Sequence, residues 1–152
     1  MQLALELASR AESEGEVPVG ALLVRDDRII GLGWNRPVTL HDPTAHAEVM
    51  ALRDAGAKQH NYRLPGSTLY VTLEPCPMCA GAIVHARVAR LVFGAFDPRS
   101  GAAGSVFDLL PSDARFNHAV AAEGGCLEVE CSEIIRAFFQ ARRQTRNRED
   151  SP

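Results

Sequence analysis

The first part of the chain has apolar residues at helical spacing, followed by two runs of residues that favour strands. Apolar side chains recur at helical spacing over residues 3–14, and Gly15 ends this pattern. Residues 17–24 and 28–34 are β-rich runs, and the Arg-Asp-Asp segment at residues 25–27 has the composition of a turn. The pattern therefore predicts a first helix followed by a β-hairpin.

The next predicted helix carries two polar side chains in its first turns. The segment Asp42-Pro43-Thr44 supplies an N-cap and a proline at the first helical position. We therefore predict a helix from about residue 43 to 55, closed by Gly56. His46 and Glu48 lie near its start.

A second pair of polar side chains lies at the start of another predicted helix. Residues 67–73 are a short run rich in β-branched residues, which predicts a strand. Glu74-Pro75 ends this strand and opens a helix that runs to about residue 85. Cys76 and Cys79 lie at the start of that helix.

The remaining pattern completes an α/β domain. It predicts a strand over 88–94, a loop over 101–104, a short helix over 106–110 ended by Pro111, a last strand over 127–130 and a basic helix from 132 to about 148. Strands that alternate with helices predict a three-layer α/β/α arrangement with helices on both faces of a mixed sheet. The apolar positions Ala80, Ile83 and Val84 fit either the core or an interface between subunits.

Length and composition indicate one globular domain, which we take as residues 1–152. The chain has 152 residues, of which 46% are hydrophobic and 23% charged. No apolar stretch approaches the ~20 residues that cross a bilayer, and the N-terminus lacks the features of a signal peptide. We therefore expect a cytoplasmic protein without membrane association, whose four cysteines are thiols, metal ligands or redox centres.

The charge distribution is uneven although the net charge is small. A net charge of −3 argues against a protein that coats nucleic acid without specificity. Lys58 is the one lysine, and five arginines lie near the C-terminus: Arg136, Arg142, Arg143, Arg146 and Arg148. Such a cluster is either a solvated helix face or a phosphate-binding surface. Arginine suits the second use better than lysine because its planar fork binds phosphate with two hydrogen bonds.

Three residues have the chemistry of a catalytic zinc site. Cys76 and Cys79, at i and i+3, share one face of a helix start, where the helix dipole favours thiolates. With His46 they make three ligands and leave the fourth tetrahedral position for water, so we predict one zinc ion per chain. Zinc lowers the pKa of a bound water to about 7.

Glu48 supplies the second requirement of such a reaction, a group that moves protons. A hydroxide that attacks an amidine-type carbon needs a carboxylate to take its proton and return it to the ring nitrogen and the leaving amine. Residues two apart on a helix diverge by roughly 200°, so His46 and Glu48 do not share a helix face. We therefore predict that this helix presents its end to the site.

Each motif alone has other interpretations, and the combination is more specific. His-x-Glu is common on protein surfaces. Cys-x-x-Cys is also found in redox pairs, and it can be half of a structural zinc site, which Cys126 or Cys131 would complete. His46-Ala47-Glu48 followed by Pro75-Cys-Pro-Met-Cys79 matches the H-x-E…P-C-x-x-C pattern of the zinc deaminases.

The chain resembles the bacterial tRNA-specific adenosine deaminases, within the cytidine and deoxycytidylate deaminase superfamily. The resemblance extends from about Leu3 to Gln144, and its motifs beyond the zinc pattern include Gly33-Trp-Asn-Arg-Pro37, Asn61-Tyr-Arg-Leu64, Gly101-Ala-Ala-Gly-Ser105 and Phe138-Phe-Gln-Ala-Arg-Arg-Gln144. It implies a cytidine-deaminase-like fold with a five-stranded sheet, a homodimer, and an enzyme that converts adenosine to inosine at the wobble position of a tRNA anticodon.

The resemblance also implies roles for residues outside the zinc pattern. Asn35 would hydrogen-bond the flipped base, and Val17 and the backbone of Ala47 would line its pocket. Asn35 is equally a residue that ends a strand in a turn. Phe96 stands where related sequences often carry a basic residue, which offers a stacking surface in place of a phosphate contact.

Three further residues would hold the anticodon stem-loop. By the same resemblance, Asp97 would contact the sugar or the neighbouring nucleotides, and Arg142 and Arg143 would lie along the stem or loop. Asp97 is otherwise an ordinary loop residue before Pro98. The stretch of residues 111–116 is slightly longer than in related sequences and would alter a loop at the rim.

Two other functions compete with this one. The first is a deaminase of a free base or nucleotide, of guanine or cytosine type, because the same zinc and glutamate serve that reaction. A small-molecule enzyme has no use for the C-terminal arginines. The second is a non-enzymatic, zinc-stabilised binding module, which would have four protein ligands and no exchangeable water.

Overall fold

The computed structural model of the chain describes residues 1–110 and 114–149. Helices and strands follow each other through both ranges. In chain order they are α1 (Gln2–Ser13), β1 (Gly20–Arg25), β2 (Arg28–Trp34), α2 (Pro37–Leu40), α3 (Ala47–Gln59), β3 (Thr68–Leu73), α4 (Pro77–His85), β4 (Arg90–Ala95), β5 (Ala121–Glu123) and α5 (Glu128–Glu149).

The five strands form one mixed sheet. Their order is β2-β1-β3-β4-β5. β1 pairs antiparallel with both β2 and β3, whereas β4 pairs parallel with β3 and with β5. The predicted α/β fold with a five-stranded mixed sheet is therefore confirmed.

Helices cover both faces of this sheet, and glycines let them come close. α3 lies over β2, where a side chain at Gly33 would place its Cβ 2.3 Å from the Ala47 carbonyl oxygen. α1 crosses β1 on the opposite face, where a Cβ at Gly20 would lie 2.1 Å from the Ala4 carbonyl oxygen. Because glycine permits this approach, the first residue of α3 sits directly on the sheet.

The apolar residues of α4 belong to the core. Ala80, Ile83 and Val84 are buried and pack with the inner side chains of α3 and the sheet. These three residues, which the sequence left open between core and interface, therefore stabilise the single chain by burying apolar surface.

The predicted start of the third helix was wrong. Asp42 does not cap it: its Oδ1 accepts hydrogen bonds from the N–H and the hydroxyl of Thr44, at 2.8 and 2.7 Å, and so closes a local turn. α3 begins only at Ala47 and continues past Gly56 to Gln59, where His60 ends it in the left-handed conformation with φ of 50°. Because of this turn, the helix begins later in the sequence than predicted, and His46 is its N-cap residue.

Two predictions near the C-terminal part were also wrong. Residues 106–110 are not helical: Asp108 forms an isolated bridge with Ala103. Pro111, and residues 111–113 of the stretch predicted to be longer, lie outside the described residues. The last strand is Ala121–Glu123, and residues 128–130 begin α5. The Leu-Glu-Val-Glu alternation suits a strand, but its glutamates are equally favourable in the first turn of a helix.

α5 is the longest helix of the described residues, with 22 residues. It packs one side on β4, where a Cβ at Gly94 would lie 2.3 Å from the Cys131 sulfur. Its arginines from Arg136 onward are exposed. Neither this helix nor another in the described ranges is long and apolar enough to cross a membrane.

Candidate active site

The candidate site lies where the N-terminal ends of α3 and α4 meet. His46 is the N-cap residue of α3 and Cys76 that of α4, and both have extended backbone conformations. Glu48 lies in the first turn of α3, after His46, and Cys79 lies in the first turn of α4, after Cys76. The prediction that α3 presents its end to the site is therefore confirmed. It also removes the difficulty of the i, i+2 spacing, because His46 precedes the helix.

His46, Cys76 and Cys79 form a group, here called the ligand cluster, whose spacing fits a metal ion. The Nδ1 of His46 lies 3.6 Å from each of the two sulfurs, and the three ligand atoms lie within 4.8 Å of one another. A tetrahedral zinc ion, at its usual distances from sulfur and nitrogen, separates such atoms by about 3.5 Å. The donor set of one imidazole and two thiols is one that zinc prefers.

The two thiols of the ligand cluster differ in acidity. A hydrogen bond from Cys79 lowers the pKa of Cys76 to about 4, so Cys76 is a thiolate. The same interaction raises the pKa of the Cys79 thiol well above its ordinary value. The hydrogen bond with Cys76 raises the pKa of His46. Cys76 is therefore the member of the cluster that is most easily deprotonated, as a metal ligand must be.

Glu48 is buried beside the ligand cluster without being part of it. Its side chain is 4% exposed, and burial raises the pKa of its carboxyl to about 7. Hydrogen bonds with its own N–H and with Cys79, and the charge of His46, act in the opposite direction. A carboxyl with this pKa exchanges a proton readily near neutral pH.

Asn35 and Ala47 contact each other next to the cluster. The side-chain oxygen of Asn35 accepts a hydrogen bond of 2.9 Å from the N–H of Ala47. Asn35 itself is anchored through its own N–H, which donates to the Val19 carbonyl at 3.0 Å. Because the oxygen is used in this way, the donor end of the amide is the part left for a ligand.

Three residues predicted to contact the substrate line one cavity. Val17, Asp97 and Arg143 share the wall of a space of about 550 Å³. Leu73, three residues before Cys76, lines it as well. The cavity thus joins α5 to the loop after β4 and to the strand that leads into the ligand cluster. Val17 and Asp97, which are 80 positions apart in the sequence, thus line the same cavity.

The structure separates the two arginines that were predicted to act together. Arg143 lines the cavity, whereas the guanidinium of Arg142 lies over the ring of Phe138, 5.1 Å from its centre. Both side chains are exposed. Arg143 is therefore the one placed to contact a ligand inside the cavity.

Comparison with known proteins identifies the family. Residues 1–95 match the sequence profile described as the cytidine and deoxycytidylate deaminase zinc-binding region. The tRNA-specific adenosine deaminase of Haemophilus influenzae is 56% identical over 145 residues, which cover 95% of this chain and 83% of that protein. The chain belongs to the tRNA-specific adenosine deaminases. The enzyme of that name from Bacillus subtilis is 46% identical over 144 residues, covering 95% of this chain and 89% of the other.

Solved structures agree with this assignment to the tRNA-specific adenosine deaminases. A structure from work on A-to-I editing by tRNA deaminases at the wobble position superimposes with a TM-score of 0.85 at 47% identity, covering 88% of this chain and 96% of that chain. The guanine deaminase of Nitrosomonas europaea matches with a TM-score of 0.74 at 25% identity, covering 90% and 81%. Both the fold and the sequence are thus closer to the tRNA deaminase.

The remaining cysteines of this tRNA-specific adenosine deaminase lie outside the ligand cluster. Among the described residues, the group able to hold a metal contains His46, Cys76 and Cys79 alone. Cys131, in the first turn of α5, is buried against Gly94, and its thiol hydrogen-bonds the Cys126 carbonyl at 3.9 Å. Within the described residues, neither Cys126 nor Cys131 therefore joins the ligand cluster.

Sequence reasoning missed two buried glutamates of this deaminase. Glu16 is 1% exposed, and its carboxylate accepts hydrogen bonds from the N–H groups of Val38 and Thr39 at the start of α2. Glu74 is 2% exposed and bonds to the loop after β4. A signal for both was present, since each glutamate stands beside a proline-containing apolar segment.

Proposed function

We propose that the protein hydrolyses the 6-amino group of adenosine at the wobble position of a tRNA anticodon, giving inosine and ammonia. The observation that carries this choice is the cavity wall, which Arg143 of α5 shares with Asp97 and Val17. An enzyme that acts on a free base needs a closed pocket rather than an arginine-bearing helix at its mouth. The similarity to tRNA deaminases over 95% of the chain supports the same substrate.

We propose zinc as the metal, held by His46, Cys76 and Cys79. The 3.6 Å spacing of the imidazole nitrogen from both sulfurs and the thiolate character of Cys76 support this. Zinc bound by three protein ligands supplies an acidic water as the nucleophile at neutral pH.

Glu48 moves the protons of the reaction. Its carboxyl has a pKa of about 7, so both of its protonation states are populated at neutral pH. As carboxylate it takes a proton from the attacking water while the oxygen adds to C6 of the adenine. As acid it passes this proton to the ring nitrogen. It then takes the second proton from the hydroxyl now on C6 and passes it to the amine, which leaves as ammonia when the C6–N bond breaks and the C6 carbonyl forms. Water is thus consumed and Glu48 is regenerated.

Asn35, Ala47 and Val17 hold the base. The bond from Ala47 to the Asn35 oxygen fixes the side-chain amide, so its NH₂ group points at a predictable position. This donor suits an acceptor nitrogen of a purine ring. Val17 offers an apolar wall.

The RNA around the base supplies most of the affinity. An anticodon loop is single-stranded at its tip, so one base can be splayed into a pocket for a few kcal/mol. Asp97 and Arg143 line the cavity through which the flanking nucleotides would pass, with Arg142 outside it. Arginines bind phosphate in a salt-dependent manner.

We also propose that the enzyme is a cytoplasmic homodimer. None of the four cysteines forms a disulfide, which suits a reducing compartment. Sedimentation equilibrium should give twice the mass of the chain. A single-chain mass at micromolar concentration would contradict the dimer and leave the reaction unaffected.

One experiment separates the candidate substrates. The protein is incubated with an anticodon stem-loop that carries adenosine at the wobble position, and separately with free adenosine, cytosine, cytidine and guanine. We expect inosine in the stem-loop and little product from the small molecules. Efficient deamination of guanine or cytosine without reaction on the stem-loop would contradict the proposed function.

A further inference from the structure

Glu74 is a buried carboxylate that the reaction does not use. It follows β3, lies two residues before Cys76 and is 2% exposed. Its carboxylate accepts backbone N–H bonds from Asp97 at 2.9 Å, Ala103 at 3.0 Å and Ser105 at 3.1 Å. The Ser105 hydroxyl donates a fourth, short hydrogen bond. All four donors belong to residues 97–105, here called the rim loop.

The rim loop is wrapped around this carboxylate. A side chain at Gly101 would place its Cβ 2.3 Å from Oε2 of Glu74, so only glycine allows the loop to close this tightly. The N–H of Ala102 also donates to the Pro75 carbonyl at 2.8 Å. The loop therefore takes its shape from the residues that connect β3 to the ligand cluster.

The rim loop forms one wall of the substrate cavity. Asp97, Arg99 and Ser100 line it, as does Arg143. The Asp97 carboxylate is itself held in place, accepting bonds from the Arg99 N–H at 2.9 Å and the Ser100 hydroxyl at 2.8 Å. A change in the loop's anchor would thus move this whole wall, while the ligand cluster and Glu48 lie at the N-terminal ends of α3 and α4.

We infer that Glu74 is a positioning residue for RNA binding: it holds the rim loop in the shape that contacts the nucleotides beside the wobble adenosine. The inference rests on the proposed function. Both side-chain oxygens of Glu74 accept hydrogen bonds from these four donors, whereas the NH₂ of a glutamine in its place would face N–H or O–H donors. Glu74→Gln therefore loses the bonds to one oxygen and loosens the wall without removing the side chain.

The test is the split between KM and kcat for the wobble stem-loop. For Glu74→Gln in zinc-loaded protein, we expect KM to rise about 10- to 100-fold, because hydrogen bonds to a charged group are among the stronger ones. We expect kcat at saturation and the zinc content to stay within about twofold of the unchanged protein, since the reacting groups lie elsewhere. Glu123→Gln, an exposed carboxylate on β5 that pairs with Arg90, is the matched control and should leave both constants unchanged.

Ser105→Ala provides a second, milder variant. It removes the hydroxyl donor and keeps the three backbone donors, so KM should rise less than with Glu74→Gln. In the double variant the two effects should not add, because both act on one carboxylate. Should Glu74→Gln fail to fold, Ser105→Ala decides the matter, and an unchanged KM there would overturn the inference.

The outcomes separate this inference from the proposed function. Loss of zinc in Glu74→Gln, or a fall in kcat at unchanged KM, would mean that Glu74 only supports the segment that carries Cys76, and the positioning role would be overturned. An unchanged protein that makes no inosine in the stem-loop contradicts the proposed function before any variant is measured. Normal conversion by the unchanged protein together with a normal KM in Glu74→Gln rejects the inference alone.

Discussion

Two buried glutamates, one beside the ligand cluster and one under the rim loop, differ in how their carboxyls are partnered. Glu48 and Glu74 are 4% and 2% exposed, so neither is solvated. Glu74 accepts four hydrogen bonds from the rim loop. Burial dominates at Glu48 and raises the pKa of its carboxyl to about 7. At similar burial, Glu74 has four hydrogen-bond donors that suit the proposed role of holding the loop, whereas Glu48 has a raised pKa that suits the proposed proton transfer.

The largest effect is expected from removing a ligand of the metal site beside Glu48. Cys76→Ala removes the thiolate of the ligand cluster, so we expect loss of zinc, loss of activity to background and a lower melting temperature, because metal binding is coupled to folding. Metal analysis by mass spectrometry and a thermal melt measure these changes. Cys131→Ala, which removes a buried thiol of α5, is the matched control and should keep its zinc. Loss of zinc from that variant would favour a structural cluster.

The second prediction contrasts the two glutamates directly. Glu48→Gln keeps the shape of the side chain and removes the exchangeable proton, so kcat should fall by ~10²–10⁴-fold. Zinc content and stem-loop affinity should stay near those of the unchanged protein. Single-turnover inosine formation measures the chemical step. Normal turnover in Glu48→Gln would remove this residue from the mechanism and with it the contrast with Glu74.

The region around Glu48 could be predicted from the sequence, whereas the rim, meaning the rim loop and the cavity that it lines, could be predicted only in part. His46, Glu48, Cys76 and Cys79 lie in two short motifs at helix starts, and local sequence determines helix starts. Even there the motif misled in detail, because Asp42 closes a turn instead of capping α3.

The rim depends on contacts between distant segments. Its cavity joins Val17, Asp97 and Arg143, and its loop is held by Glu74, which precedes it by more than 20 residues. No periodicity in the sequence reports such pairings. The same reason explains the strand misplaced at residues 127–130: four alternating residues fit both a strand and a helix start, and only the pairing of β4 with Ala121–Glu123 decides between them.

The third prediction tests how the base is held between the two regions. Asn35→Asp keeps an oxygen that accepts from the Ala47 N–H and removes the NH₂ donor, so catalytic efficiency should fall about 10-fold or more. Asn35→Ala loses both interactions, and it should in addition lower the melting temperature. Steady-state kinetics and a thermal melt separate the two. Full activity in Asn35→Asp would exclude the amide donor from base binding.

The smallest effect is expected from the two neighbouring arginines of α5, which differ in their position relative to the cavity. Arg143 lines the cavity, whereas Arg142 lies over the ring of Phe138. If Arg143 binds one phosphate of single-stranded loop, Arg143→Ala should weaken stem-loop binding several-fold and make the plot of log affinity against log salt less steep by about 0.7. Arg142→Ala should change the slope less, because its guanidinium is stacked on an aromatic ring.

Both variants should leave kcat unchanged, since the proposed reacting groups are the ligand cluster and Glu48. Fluorescence anisotropy of a labelled stem-loop over a range of salt concentrations gives both slopes. Equal slopes for the two variants would mean that Arg142 and Arg143 act as a diffuse basic surface, and Arg143 would then make no specific phosphate contact in the cavity.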